Sequence, residues 1–280
     1  MAASRAEKQE LRLRALSSIG VVVVIIGAIY LGRYAWTLVA GVIALSSLNE
    51  YYKILNRKAE RKAARVSPGI GYVFSVLFLF AASMDKPQPI VLAMVLSLCV
   101  CAVFVAEIVR RQLTKGESYA LTSAGAIISG VLYITVPWTC MIVLHDYYVG
   151  RQILCTLFFC TWACDVGAYI GGKLFGTVKL CQYVSPGKTV QGFIAGVIAS
   201  LLVNALCLYI FSLPENPMMC IGFICGIFGQ VGDLAESLLK REAEIKDSGS
   251  IIPGHGGMLD RFDSILFNGL LTYLMLRVLL

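Results

Sequence analysis

The stretch PGHGGMLDRFDSILFNGLLTYLMLRVLL, residues 253–280, runs from a glycine turn through three charged side chains into an apolar segment whose only later charge is Arg277. Its length and apolarity read as a membrane-buried helix, with Asp260, Arg261 and Asp263 at its entrance, where charge is costly. The rest of the chain has the same character. Of its 280 residues 58% are hydrophobic and 15% charged, and the mean hydropathy is +0.77; a soluble domain has roughly a quarter of its residues charged. In a bilayer every backbone amide must find its partner inside the element, so long apolar runs between polar breaks imply helices, not the alternation of a barrel. The expected fold is all-α, a polytopic integral membrane protein.

At about 20 residues per crossing, the chain divides into about nine spans, near 15–32, 34–55, 68–84, 88–109, 118–144, 152–172, 191–213, 217–239 and 261–280. Only Gly32-Arg33 separates the first two, so one long bent helix is the other reading there. Pro137 inside 118–144 points to a kink or a re-entrant piece. On this nine-span scheme, 20 of the 24 Lys and Arg residues fall on one side, which by the positive-inside rule is the cytoplasm and puts the N-terminus there. The basic run before the first span carries no small-residue cleavage site and reads as an uncleaved span. Residues 1–150 are expected to form a scaffold that also offers homodimer contacts, and 151–280 the catalytic region, within one structural unit. The net charge of +7 is accounted for by loops beside anionic lipid and does not argue for nucleic acid. Most of the ten cysteines lie in or beside apolar spans, where they act as small hydrophobes.

The polar residues that the apolar spans tolerate carry the functional signal, because a charge at a helix centre costs about 2.5–3.5 kcal/mol by insertion scales. Asp233, Ser237, Lys240 and Arg241 share one helix face, and Asp260, Asp263 and Ser264 share another. Between them runs a loop with Lys246, Asp247, Gly254, His255, Gly256 and Gly257. Gathered carboxylates repel one another and need a cation, and an oxygen-only set suits Mg²⁺, which takes one or two carboxylates and fills its shell with water and phosphate oxygens. The surrounding Lys240, Arg241, Lys246 and Arg261 suit the same phosphate substrate. The glycines would let backbone amides approach it. CDVGAYIGGKLFG adds Asp165, either a further carboxylate or part of a small-residue packing face. VSPGKTVQG, residues 184–192, adds Ser185, Lys188 and Thr189; its Gly-Lys-Thr is no P-loop, since Gln182 stands where a glycine is needed and no strand is expected before it. Taken alone, Asp260 with Arg261 is also explained as an ion pair at a helix start, and His255 reads equally as a catalytic base or as a turn residue.

Residues 237–263, SLLKREAEIKDSGSIIPGHGGMLDRFD, resemble the signature of the phosphatidate cytidylyltransferase (CDP-diacylglycerol synthase) family: Ser, Lys-Arg, Lys-Asp, Pro-x-His-Gly-Gly and Asp-Arg-x-Asp, in order and at matching spacing. SPGKT and Asp-x-Gly-Ala-Tyr extend the likeness over about residues 160–270. Gln191 departs from it, where the family pattern usually has Glu. The resemblance implies a Mg²⁺-dependent enzyme, with a second, monovalent cation as an option, that uses CTP and phosphatidate at the cytoplasmic face of a bacterial-type inner membrane. It also implies Asp233 and Asp260 as metal-centre residues, Asp263 and Asp165 as weaker ones, and no protein nucleophile. A CTP-dependent polyprenol-type lipid kinase shares setting and nucleotide but moves the γ-phosphate. A transporter would carry ionisable residues through the whole membrane depth, and a CDP-alcohol phosphotransferase would need an Asp-Gly-x-x-Ala-Arg run that is absent.

Overall fold

The computed structural model describes residues 2–57, 66–84, 89–116, 119–249 and 256–279, with backbone alone over 2–16 and 215–216. The helices are α1 (Ala2–Leu31), α2 (Arg33–Asn56), α3 (Gly69–Ala82), α4 (Pro89–Leu113), α5 (Ala120–Gly130), α6 (Val136–Leu144), α7 (Gly150–Phe175), α8 (Val190–Phe211), α9 (Glu215–Glu242) and α10 (Leu259–Leu279). A π-helical turn, Val131–Thr135, joins α5 to α6. One element departs from the all-α expectation: β1 (Lys179–Cys181) and β2 (Ser185–Thr189) pair as a short antiparallel hairpin. A strand thus does precede the Gly-Lys-Thr triplet, although Gln182 still excludes a P-loop.

Six helical stretches are long and apolar enough to cross a membrane: Pro89–Leu113, Ala120–Leu144, Gly150–Phe175, Val190–Phe211, Pro217–Glu242 and Leu259–Leu279. The remaining three of the nine expected spans fall short of that measure among the described residues. Within α1 the apolar part is Ser17–Leu31, and α3 has 14 residues. At 1.5 Å per residue such a helix covers about 21 Å of a roughly 30 Å hydrocarbon core. α2 has the length, 24 residues, but carries Arg33, Glu50 and Lys53. The break before it is real: Gly32 has φ +112°, a conformation open to glycine alone at little cost, so α1 and α2 are two helices.

Pro137 acts through geometry, without ending its helix. It has no N–H and its ring crowds the carbonyl four residues back. Just before it the helix widens, and Val136 N–H donates to the carbonyl of Val131, five residues earlier. The 120–144 stretch therefore stays one continuous helix with a π turn.

The chain separates into two compact units, the first of Met1–Val143 with Ala243–Asp260, the second of Leu144–Glu242 with Arg261–Leu280. In the first unit Trp36 and Trp138 are fully buried and tilted against each other, with ring centroids 6.2 Å apart. The Trp36 indole N–H donates to Met141 O at 3.1 Å. Tyr52 OH donates to Ile127 O at 3.2 Å, and Ser75 pairs with Thr135 at 2.7 Å. These buried polar groups are satisfied, as burial requires.

The second unit rests on small residues. A Cβ on Gly167, Gly171, Gly192 or Gly196 would run into the facing helix of the α7–α8 pair, at Ala199, Ala195, the Ala168 carbonyl and the Cys164 carbonyl respectively. Backbones approach closely there, as expected of helices in lipid. Across α8 and α9, Ser200 Oγ donates to Gly222 O at 2.9 Å, and Asn204 Nδ2 lies 3.2 Å from Met219 O. α9 meets α10 through Gly229, which faces Asn268, and Gly232, which faces Asp263 and Ser264. All ten cysteines are free thiols.

Candidate active site

Asp233 sits on α9 one position after Gly232, so the close approach of α9 to α10 fixes where its carboxylate stands. Lys188, at the end of the β hairpin, places its ammonium 2.9 Å from Asp233 Oδ2 and 3.2 Å from the carbonyl of Gln230. Ser237, one helical turn on, donates to Asp233 Oδ1 at 3.3 Å. The Lys188 and Asp233 side chains are 21% and 37% exposed. An ion pair so wet is worth at most about 1 kcal/mol to stability. Its consequence is positional: a lysine and a carboxylate are presented together at an accessible point.

The hairpin that delivers Lys188 is itself held at several points. Thr189 is the N-cap of α8, its hydroxyl accepting from Gly192 N at 3.1 Å, which satisfies one orphan donor of the helix start. Gln191, the departure from the family pattern, uses both ends of its amide. Its Oε1 accepts from Thr177 N (3.1 Å) and Val178 N (3.2 Å), while its Nε2 donates to Thr177 Oγ1 at 2.6 Å. Arg241, at the end of α9, donates through Nε to Val184 O at 3.1 Å. Arg241 therefore anchors the hairpin turn, a role the sequence did not indicate. Ser185 lies within β2 and is half-buried.

Lys240 forms an ion pair with Glu236 on the same helix. Glu236 is fully buried and was not singled out in the sequence; its only signal is a carboxylate one turn before a lysine. Asp165 is exposed on α7 and lies within electrostatic reach of Asp233, Lys188 and Arg261. Asp263 is buried on α10, accepts from Ser264 N at 2.6 Å, and feels Asp233, Glu236 and Asp165. The second unit thus brings together Asp165, Lys188, Asp233, Ser237 and Asp263, with Lys240, Arg241 and Arg261 nearby along the same helices. Asn268 does not join them. It is fully buried and donates to Thr161 Oγ1 at 2.8 Å, which makes it part of the packing.

The signature loop belongs to the first unit. Lys246 and Asp247 are exposed. Asp260 Oδ2 accepts from Ser248 N (2.8 Å), Ser248 Oγ (3.0 Å) and Gly257 N (2.8 Å). One carboxylate oxygen of Asp260 is thus engaged with its own loop. Gly256 has φ +82°, a turn conformation that favours glycine. Gly257 is buried against Ser248 and Glu50. Gly254 and His255 lie outside the described residues.

The donor set can be weighed against a divalent ion. Asp165, Asp233, Glu236 and Asp263 bring four carboxylates within electrostatic reach of one another in one unit, with Lys188 paired to Asp233 and Lys240 to Glu236. Among the described residues, no three His, Cys, Asp or Glu side chains converge as a ready-made metal cage. Magnesium fits such a set, since it commonly takes one or two carboxylates and completes its octahedron with water and substrate phosphate.

Part of the chain is similar to curated proteins. A phosphatidate cytidylyltransferase of Staphylococcus haemolyticus is 48% identical over 120 residues, 42% of this chain and 46% of the relative. One of Staphylococcus aureus is 46% identical over 120 residues, with the same shares covered. One of Synechocystis is 44% identical over 138 residues, 49% of this chain and 47% of the relative. The chain spans about half the length of the curated relatives it matches. The model of the cytidylyltransferase family matches residues 12–279, nearly the whole chain, and the chain belongs to that family.

Proposed function

We propose that this chain transfers a cytidylyl group from CTP to phosphatidate at a membrane surface, forming CDP-diacylglycerol and pyrophosphate. The observation that carries the reading is the accessible pairing of Lys188 with Asp233 at 2.9 Å, on elements that also bring Asp165 and Asp263 into electrostatic reach. The family and the names of the relatives support it.

In the reaction, a phosphate oxygen of the lipid attacks the α-phosphorus of CTP, and the bond from that phosphorus to the bridging oxygen of the β-phosphate breaks. Pyrophosphate departs with the electron pair. The attacking group is already an anion, so no protein nucleophile is needed. Lys188 is positioned to meet phosphate charge, with Arg261 on α10 adding to the local positive field, the kind of preorganised stabilisation that lowers barriers in phosphoryl-type transfer. Asp233, aided by Asp165 and Asp263, would hold magnesium, which supplies charge neutralisation on the phosphates when bound. Arg241 and Gln191 keep the hairpin, and so Lys188, in place.

The cytoplasmic N-terminus and an active site at the inner face of a bacterial-type membrane are part of the same proposal, supported by the distribution of Lys and Arg. A direct test incubates the purified protein in detergent with phosphatidate and each of the four nucleoside triphosphates, with and without Mg²⁺, and measures pyrophosphate. CTP-dependent release that needs Mg²⁺ is the expected result. Equal release from all four nucleotides, or none from CTP, would refute the proposal.

A further inference from the structure

We infer that Glu50, 198 residues before Ser248 in the sequence, is a positioning residue that fixes the two described flanks of the signature loop, at Ser248 and at Met258–Leu259, an inference that rests on the reading of that loop as substrate-facing. Glu50 lies near the end of α2 and is 1% exposed. Its Oε1 accepts from Met258 N at 2.9 Å; its Oε2 accepts from Leu259 N at 2.8 Å and from Ser248 Oγ at 2.9 Å. One buried carboxylate thus serves both ends of the 248–259 segment.

The local chemistry explains why a distant residue is needed. The first N–H groups of any helix have no partner within the helix, and the usual remedy is an oxygen-bearing side chain at the N-cap. Asp260 reaches back three residues to Gly257 N, as the acid of a capping box does. The residue it reaches is a glycine with no side chain to return the favour. Glu50 supplies the missing oxygens, and its negative charge also suits the positive end of the helix dipole.

Two glycines make room for it. A Cβ on Gly249 would collide with Glu50 Oε1, and one on Gly257 with Ser248 Oγ and Glu50 Oε2. The Gly-Gly pair of the signature is therefore explained, at Gly257, by admission of the Glu50 carboxylate. Ser248 ties the two acids together, its Oγ lying 2.9 Å from Glu50 and 3.0 Å from Asp260. Lys246 and Asp247, immediately before Ser248, are exposed. Through Ser248, Glu50 thus holds the segment that carries Lys246 and Asp247.

Three full-length variants test this: Glu50→Gln, which keeps the volume but exchanges one acceptor for a donor; Ser248→Ala, which removes one contact; and the double variant. Hydrogen exchange is read on peptides covering 246–260 and on α7–α9, and steady-state constants are measured with CTP and phosphatidate. Glu50→Gln should lower protection of 246–260 by about tenfold or more while α7–α9 keep theirs. It should also lower kcat/KM for CTP by about tenfold or more. The double variant should cost little beyond Glu50→Gln alone, because both act through one network. Unchanged exchange in 246–260, or faster exchange with unaltered CTP and phosphatidate constants, overturns the inference. Wild-type protein that turns over no CTP refutes the proposed function instead, and the exchange arm then still decides whether Glu50 holds the loop. If Glu50→Gln does not fold, Ser248→Ala carries the same two readouts.

Discussion

At the scale of single residues, Asp233 bears two loads of unequal weight. Its contact with Lys188 is part-exposed and contributes at most about 1 kcal/mol to stability, whereas in the proposed reaction its carboxylate is an oxygen donor that would hold the metal. Asp233→Asn should therefore leave the melting temperature nearly unchanged and lower turnover by about two orders of magnitude or more. A comparison of thermal melts with initial rates checks both halves. Gln191 gives the opposite expectation. A glutamate there could still accept from Thr177 N, Val178 N and the Thr177 hydroxyl, so Gln191→Glu should change stability by less than about 1 kcal/mol and keep the activity within a few-fold, as read from denaturation midpoints and initial rates. Much of this site was legible in the sequence, because Asp165, Lys188, Asp233 and Asp263 are ionisable residues in or beside apolar runs. Glu50 and Glu236 were not. Glu50 stands in SSLNEYYKIL, where a carboxylate near a helix end reads as an ordinary interfacial group; its meaning comes from Ser248, Met258 and Leu259, which no local pattern connects to it. Asp260 was singled out for its charge, and its Oδ2 also ties the ends of its own loop together.

At the scale of elements, the helices were readable from hydrophobic runs alone, and Gly32 and Pro137 marked real features. The β hairpin was invisible because β2 is SPGKT, a string of turn-forming residues with no alternating apolar pattern. Its pairing depends on tertiary supports: Arg241 on the turn, Gln191 on the approach and Thr189 as the cap of α8. Those supports make a prediction. Arg241→Met should loosen the hairpin and so displace Lys188, raising KM for CTP by about tenfold or more with a small change in melting temperature; an unchanged KM would assign Arg241 no part in placing Lys188. The α7–α8 contact predicts a different kind of defect. Gly171→Val would drive a branched side chain into Ala195, and overpacking of this sort costs about 1–3 kcal/mol. The thermal melt of the detergent-solubilised variant should fall accordingly, and Gly187→Val, at a position with open space around it, should melt like the parent.

At the scale of the whole molecule, the proposed reaction would draw its two substrates from different phases, CTP from water and phosphatidate from lipid. Composition announced the membrane setting at once, and six helices meet the length and apolarity of a crossing. The finer count of about nine turns on α1, α2 and α3: the described apolar parts of α1 and α3 are shorter than a full crossing, and α2 is apolar only in part. The orientation rests on the basic residues of the loops. It predicts that an epitope on the N-terminus is protected from protease added outside intact cells and cut in inverted vesicles. The reverse pattern would turn the site to the other face. The central claim concerns which phosphorus is attacked, and labelled CTP tests it most directly. With purified protein, phosphatidate and Mg²⁺, label at the α-phosphate should enter the lipid fraction while label at the γ-phosphate leaves as pyrophosphate. Gamma label in the lipid with none from the α position would contradict the account.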